Sequence, residues 1–353
     1  VSATLTLIVA GDPQQLTGGY VYDARIAEAL REQGWRVDVI GLEGRFPEPD
    51  AVAAQALDTA LAGLADGARA VIDGLAMGAL PEVVARHGER LDLTALVHHP
   101  LADETGLDEA QRTRFAVSET RALGAVARVI VTSPFTARRL ADYHVAPGRI
   151  AVVEPGVDRA PLPADGGDSA TRLLCVATVT PRKGHDVLID ALATLADRDW
   201  RCDCIGGLDR DTAHVDRVRE RIAATGLEAR IHLLGERPPA ELGSAYRDAD
   251  VFVLPSHYEG YGMVISEALA HGLPVITTTG GALAHTLPAD AGLPVPPGDA
   301  EALAGALARW FDDAELRRHL RDGARRARDA LQDWNQAGRA FAAALQRPPG
   351  DAP

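Results

Sequence analysis

The 353-residue chain is poor in cysteine, with only Cys175, Cys202 and Cys204, and poor in aromatics at 5%. So odd and sparse a set of thiols excludes a disulfide framework and points to a reducing compartment. Cys202 and Cys204 would share one face of a strand, so geometry alone allows a common metal. No second cysteine pair accompanies them, and no metal site is expected. Positive charge is also short: 36 Lys+Arg face 50 Asp+Glu, a formal net charge of −14. That excludes the basic footprint of a nucleic-acid partner and disfavours docking on anionic lipid. No stretch holds the roughly 18 apolar residues of a membrane span. The opening VSATLTLIVAG lacks the basic flank and cleavage site of a signal peptide and reads as a buried strand. A cytoplasmic protein without strong membrane association is expected, and a homodimer is compatible with the sequence.

What the chain does have is a repeated alternation of short apolar runs and helical patterns. Runs at 5–10, 35–40, 70–72, 93–97, 129–132 and 150–153 read as strands. The segment 159–170, RAPLPADGGDSA, is rich in Pro, Gly, Ala and Asp and reads as a linker. Strands then resume at 173–176, 202–205, 231–234, 251–254, 275–277 and, as an edge segment, 292–297. Helical patterns fill the gaps, including 300–310, 314–328 and 333–345, and the tail RPPGDAP should fray. This predicts an α/β chain of two doubly wound parallel sheets, one over 1–158 and one over 171–332, with a ligand cleft between them.

In such sheets ligands sit at the carboxyl ends of strands. Five stretches fall there. Gly18-Gly19 lies in a polar loop after the first strand, and His98-His99 ends the strand at 93–97. His87 and His144 have no such placement and are expected at the surface. Arg182-Lys183-Gly184 opens a helix after the first strand of the second half; two cations at a helix N-terminus suit a diphosphate. Gly235-Glu236-Arg237-Pro238 follows the strand at 231–234. The fifth stretch, ADVFVLPSHYEGYGMVISEALAHGLP over 249–274, reads as strand, turn and helix. The N–H groups at the helix start, Gly260, Tyr261, Gly262 and Met263, are expected to form an anion site flanked by Glu259 and Glu267. Asp197-Arg198-Asp199 matches an Asp-x-Asp string but reads as a surface turn.

The two glutamates seven residues apart, with PRKGHDVLIDAL at 181–192 and SEALAHGLPVITT at 266–278, resemble glycosyltransferase family 4. The resemblance extends from Gly18-Gly19 to the Asp299 region. It implies the GT-B fold, two Rossmann-like domains facing a central cleft, with the C-terminal helix (333–353) packing back on the first. It also implies a retaining, metal-independent hexosyltransferase that uses a nucleoside diphosphate sugar, UDP by preference, and no cofactor. On that reading Glu267 holds the ribose, Glu259 faces the transferred sugar, and Lys183 neutralises the leaving diphosphate. The backbone at 261–263 meets phosphate and sugar oxygens. Gly18 and Gly19 approach the diphosphate, the base lies along 235–238, and His99, or less readily His98, sits near the sugar. His98 and His99 also mark the acceptor side.

Two departures stand out. Thr178 occupies the place of a family arginine, leaving Arg182 as its substitute, and Ala284-His285 stands where a glutamate is frequent. The acceptor is expected to be small and hydrophilic. Asp103, Glu104 and Asp108, near the histidines, would suit an amino sugar. Other readings are a GT-B-related sugar-nucleotide epimerase and a non-catalytic two-lobed sugar or nucleotide binder. A dinucleotide oxidoreductase is disfavoured, because no G-x-G-x-x-G follows the first strand.

Overall fold

The computed structural model describes residues 3–160, 162 and 170–347. Most of the segment read as a linker, and the tail from 348, lie outside the described residues. The described residues of Val1–Gly156 and Gln332–Pro353 form one compact unit, and those of Val157–Leu331 a second. Each unit holds one six-stranded sheet in which every pairing is parallel.

In the first unit the strands are β1 (Thr4–Ala10), β2 (Arg36–Leu42), β3 (Arg69–Asp73), β4 (Asp92–Val97), β5 (Arg128–Val131) and β6 (Ile150–Val152), in the order β2-β1-β3-β4-β5-β6. The chain winds outward from β1 to β2, then returns to β3 and winds the other way. The switch point therefore falls between β1 and β3. Helices cover both faces, so β1 buries six of its seven residues and its apolar side chains run continuously instead of alternating. The helix Trp334–Gln346 packs on the helix Gly18–Glu32, where a Cβ added at Gly338 would come within 2.7 Å of Ala29 Cβ.

In the second unit the strands are β7 (Arg172–Val176), β8 (Arg201–Ile205), β9 (Ile231–Leu233), β10 (Val251–Leu254), β11 (Val275–Thr278) and β12 (Gly292–Val295), in the order β12-β11-β10-β7-β8-β9. Here the switch point lies between β7 and β10, with Leu174 paired to Phe252. Part of the acidic surplus has a structural task. Asp50, Asp108, Asp211, Asp299, Asp313 and Asp333 each cap a helix N-terminus through a side-chain oxygen. There the carboxylate satisfies a backbone N–H and meets the positive end of the helix dipole. Among the described residues no helix is long and apolar enough to cross a membrane.

Two expectations are corrected. Gly18 and Gly19 are not in a loop; they form the first turn of the helix Gly18–Glu32, and neither has positive φ. His87 is not at the surface. It is 7% exposed, and its Nε2 lies 2.8 Å from Asp58 Oδ1. The apolar face of its helix, Pro81–Gly88, carries the ring inward, where a carboxylate receives it.

Candidate active site

The winding of the second sheet brings two distant stretches together. β7 and β10 are neighbours, so the turn that follows β7 meets the turn that follows β10. Pro181–Lys183 is a 3-10 turn closed by Gly184 at φ +66. A Cβ at Gly184 would lie 2.3 Å from the Pro255 carbonyl oxygen, so only glycine lets the two turns touch. The Arg182 carbonyl in turn accepts from the His257 N–H at 2.8 Å.

Across this contact both cations reach one carboxylate. Lys183 Nζ lies 2.5 Å from Glu259 Oε1, and Arg182 Nη1 lies 3.0 Å from Oε2 while also donating to the Tyr258 carbonyl at 2.8 Å. Ser256 Oγ donates to Glu259 Oε1 at 2.7 Å. Glu259 is 8% exposed. Burial pushes its carboxyl up, but Lys183 and Arg182 outweigh burial and hold it at about 2. Burial pulls the Lys183 ammonium below its usual range, against the opposing pull of Glu259. At 2.5 Å, with Arg182 adding a second positive charge, the carboxylate is ionised and the triad carries a net charge of about +1.

The turn that bears Glu259 is fixed from its other side as well. After β11 the chain turns through Gly280 and Gly281, and the Glu259 carbonyl accepts from the Ala282 N–H at 2.8 Å. A Cβ at Gly280 would meet the His257 carbonyl at 2.2 Å. Gly262, at φ +89, then starts the helix Met263–Ala270 with no side-chain cap, so the N–H groups of its first turn are left without that partner. Glu267 sits in the second turn of that helix, half-buried, and its Oε2 accepts from Tyr246 OH at 2.9 Å. Tyr246 is itself buried and stacked on His271, with ring centroids 4.8 Å apart. After β9, Gly235 turns at φ +70, and Glu236 and Arg237 are exposed. The Thr178 methyl lies 3.6 Å from where a Cβ at Gly207 would stand. Ala284 and His285 lie in the short helix Leu283–Thr286.

The first unit repeats the arrangement at its own switch point. His98 follows β4, Asp73 ends β3, and Asp23 lies on the helix after β1. His98 Nε2 is 3.1 Å from Asp23 Oδ1 and 3.5 Å from Asp73 Oδ2, and its ring meets Tyr22 edge-on at 5.3 Å. Burial works against the imidazolium, but Asp23 and Asp73 together raise His98 above its ordinary value. Burial, then repulsion from Asp23, lifts Asp73 to about 7. A Cβ at Gly19 would stand 3.2 Å from His98 Cδ2, whereas one at Gly18 would meet none of the described residues within 4 Å. His99 points elsewhere, its Nε2 3.5 Å from Glu104 Oε2. Asp103 is bound by Arg139 at 2.7 Å, Asp108 caps the helix Glu109–Gly124, and Glu104 faces His99.

Several participants escaped the reading of motifs. Ser256, Tyr246, Asp23 and Asp73 carry no spacing signal, because tertiary pairing alone selects them. One signal was available in the sequence. Lys183 is the only lysine, and every other member of the 36 Lys+Arg is arginine. A chain that otherwise uses the planar guanidinium has kept one compact ammonium where it meets Glu259.

Two Rossmann-like all-parallel units in one chain define the GT-B fold, and similar structures agree. Sucrose-phosphate synthase from Thermosynechococcus elongatus superposes with a TM-score of 0.82 at 24% identity, over 97% of this chain and 98% of that one. Residues 167–327 match the model described as glycosyl transferases group 1, and residues 77–160 match that described as glycosyltransferase family 4. The chain belongs to glycosyltransferase family 4. Among its relatives, D-inositol 3-phosphate glycosyltransferase of Corynebacterium glutamicum is 38% identical over 194 residues, 50% of this chain and 46% of the relative. MMP alpha-(1->4)-mannosyltransferase of Mycolicibacterium hassiacum is 27% identical over 305 residues, 82% and 72% of the two chains. The chain spans about half the length of the Corynebacterium relative.

Proposed function

We propose that this chain is a retaining glycosyltransferase. It moves a hexose-type sugar from a nucleoside diphosphate sugar, with UDP the first donor to test, to a hydroxyl of a small hydrophilic acceptor. The observation that carries this is the triad at the switch point of the second sheet. Arg182, Lys183 and Glu259 leave about one net positive charge beside the open N-terminus of the helix Met263–Ala270. That pairing suits a diphosphate whose negative charge grows as the sugar departs. One relative is named for D-inositol 3-phosphate and another, mannosylfructose-phosphate synthase of Agrobacterium fabrum, for a sugar-phosphate product, and both names support a small polar acceptor.

The roles follow. Glu267, aligned by Tyr246, accepts from the ribose hydroxyls. The N–H groups of Gly260–Met263 bind phosphate and sugar oxygens. Lys183, with Arg182 behind it, stabilises the leaving diphosphate. Glu259, whose oxygens are taken by Lys183, Arg182 and Ser256, orients those cations and presents its edge to the sugar. It does not serve as a covalent nucleophile. The departing phosphate oxygen takes the acceptor's proton on the face from which it leaves, which retains the anomeric configuration. Gly235–Arg237 lie along the base, Gly18 and Gly19 belong to the diphosphate, and His98 and His99 belong to the sugar and acceptor. The transfer itself uses no divalent ion, so initial rates in chelator and in magnesium should match.

Calorimetry of UDP, GDP and ADP with the wild type and with Glu267→Ala tests the assignment. A loss of at least tenfold in nucleotide affinity is expected, from an ionised hydrogen-bond partner worth about 1.5–3 kcal/mol. Unchanged affinity for all three nucleotides would overturn the placement of the donor.

A further inference from the structure

The core of the second unit holds a cluster of soft ligands that the proposed transfer does not use. Cys175 on β7 and Cys204 on β8 are partners in the parallel ladder. His185, the first residue of the helix His185–Ala193, meets them from that helix. One ligand atom from each of the three lies within 4.8 Å of the others. Cys175 Sγ is 3.9 Å from His185 Nε2, and Cys202 Sγ is 3.9 Å from Cys204 Sγ. None of the four residues is more than 3% exposed. Among the described residues His185 Nδ1 has no hydrogen-bond partner.

A buried imidazole normally secures at least one strong hydrogen bond. Here one nitrogen faces a thiol, a weak partner, and the other faces none. An aliphatic residue would fill this place without leaving polar atoms unsatisfied. The spacing has a different meaning for a metal. Tetrahedral zinc, with sulfur at ~2.3 Å and nitrogen at ~2.0 Å, separates its ligand atoms by about 3.5–3.8 Å. The 3.9 Å from Cys175 Sγ to His185 Nε2 lies close to such an edge. Cys204 of the C-x-C strand thus finds its partners only in the fold, Cys175 across the ladder and His185 at the start of a helix.

We propose that this unit binds one zinc-class thiophilic divalent cation through Cys175, His185 and Cys204. Each ligating thiol gives its proton to solvent, so the ion is held more tightly as pH rises. The site is closed on all sides by protein, the character of a structural site and not of a catalytic one. The ion ties β7 and β8 to the residue directly after Gly184, and so steadies the turn that carries Arg182 and Lys183.

The test is metal content of the full chain expressed in zinc-supplemented medium, measured by native mass spectrometry and by elemental analysis after gel filtration. About one zinc per chain is expected, with thiolate-to-metal charge-transfer and tetrahedral ligand-field bands when cobalt replaces zinc during growth. His185→Gln and Cys204→Ser should each lower retained zinc at least tenfold. Wild type with less than about a tenth of an equivalent of zinc and no cobalt bands would overturn the site, as would full zinc retention by both variants. Should a variant fail to fold, the wild-type stoichiometry and cobalt spectrum decide alone.

Discussion

Replacing Glu259 with Gln keeps the size of the side chain and removes its charge, which isolates the electrostatic part of the triad. In the wild type the carboxyl is held at about 2 in place of its ordinary 4.5. Each pKa unit is worth ~1.4 kcal/mol, so the ionised carboxylate contributes about 3 kcal/mol to folding at neutral pH. A second route gives a similar size: removing one partner of a buried ion pair costs about 3–5 kcal/mol, because the partner is left uncompensated. Here the stranded groups are Lys183 and Arg182, 17% and 19% exposed. The sign follows from the depressed value. The contribution is complete above the unfolded pKa near 4.5 and is lost as pH falls from there through about 2. Glu259→Gln should therefore destabilise the unit of Val157–Leu331 by about 3 kcal/mol at pH 7 and by less than about half of that at pH 3. Urea titration read by pulse proteolysis, which can follow the two units separately, measures both values. A difference below about 1 kcal/mol at pH 7, or one that does not shrink at pH 3, would refute the triad as the source of the stabilisation.

Three further perturbations probe other parts of the site. Lys183→Arg preserves charge but not the compact ammonium; kcat should fall at least tenfold with stability changed by less than ~1 kcal/mol, and undiminished turnover would remove the ammonium from the transfer step. Gly18→Ala adds a Cβ that meets nothing and favours the helix by up to ~1 kcal/mol, so lost turnover without lost stability would mark close ligand approach, whereas Gly19→Ala should displace His98 and shift its titration. Asp23→Asn should lower the His98 pKa. Because that raised value stabilises the fold fully below the ordinary 6.5 and ceases to as pH rises through it, the variant should be more destabilised at pH 6 than at pH 9, which NMR titration and urea midpoints can establish together.

Apolar runs such as Val251–Leu254 and Leu173–Val176 made the twelve strands legible, since a fully buried parallel strand announces itself by composition. Their alternation with helices placed the strand ends, and with them Lys183, Glu259 and His98. Gly18-Gly19 was read as a loop because glycine lowers helix propensity, yet the helix, packed through Tyr22 against Trp334, extends through both. The contacts that turn candidates into a site were not legible. That Arg182 and Lys183 share Glu259 depends on β7 lying beside β10, and that Glu267 is aimed by Tyr246 depends on a helix packing across the same unit. Neither follows from spacing along the chain.

The most direct measurement is turnover. The chain is incubated with UDP-, GDP- and ADP-sugars, each with a panel of monosaccharides, cyclitols and their phosphates, and released nucleotide and product anomer are followed by NMR. Nucleoside diphosphate released only in the presence of one acceptor class, with a product that keeps the donor's anomeric configuration and with release lost in Glu267→Ala, is the expected result. No acceptor-dependent release from any donor, or a product of inverted configuration, would contradict retaining glycosyl transfer by this site.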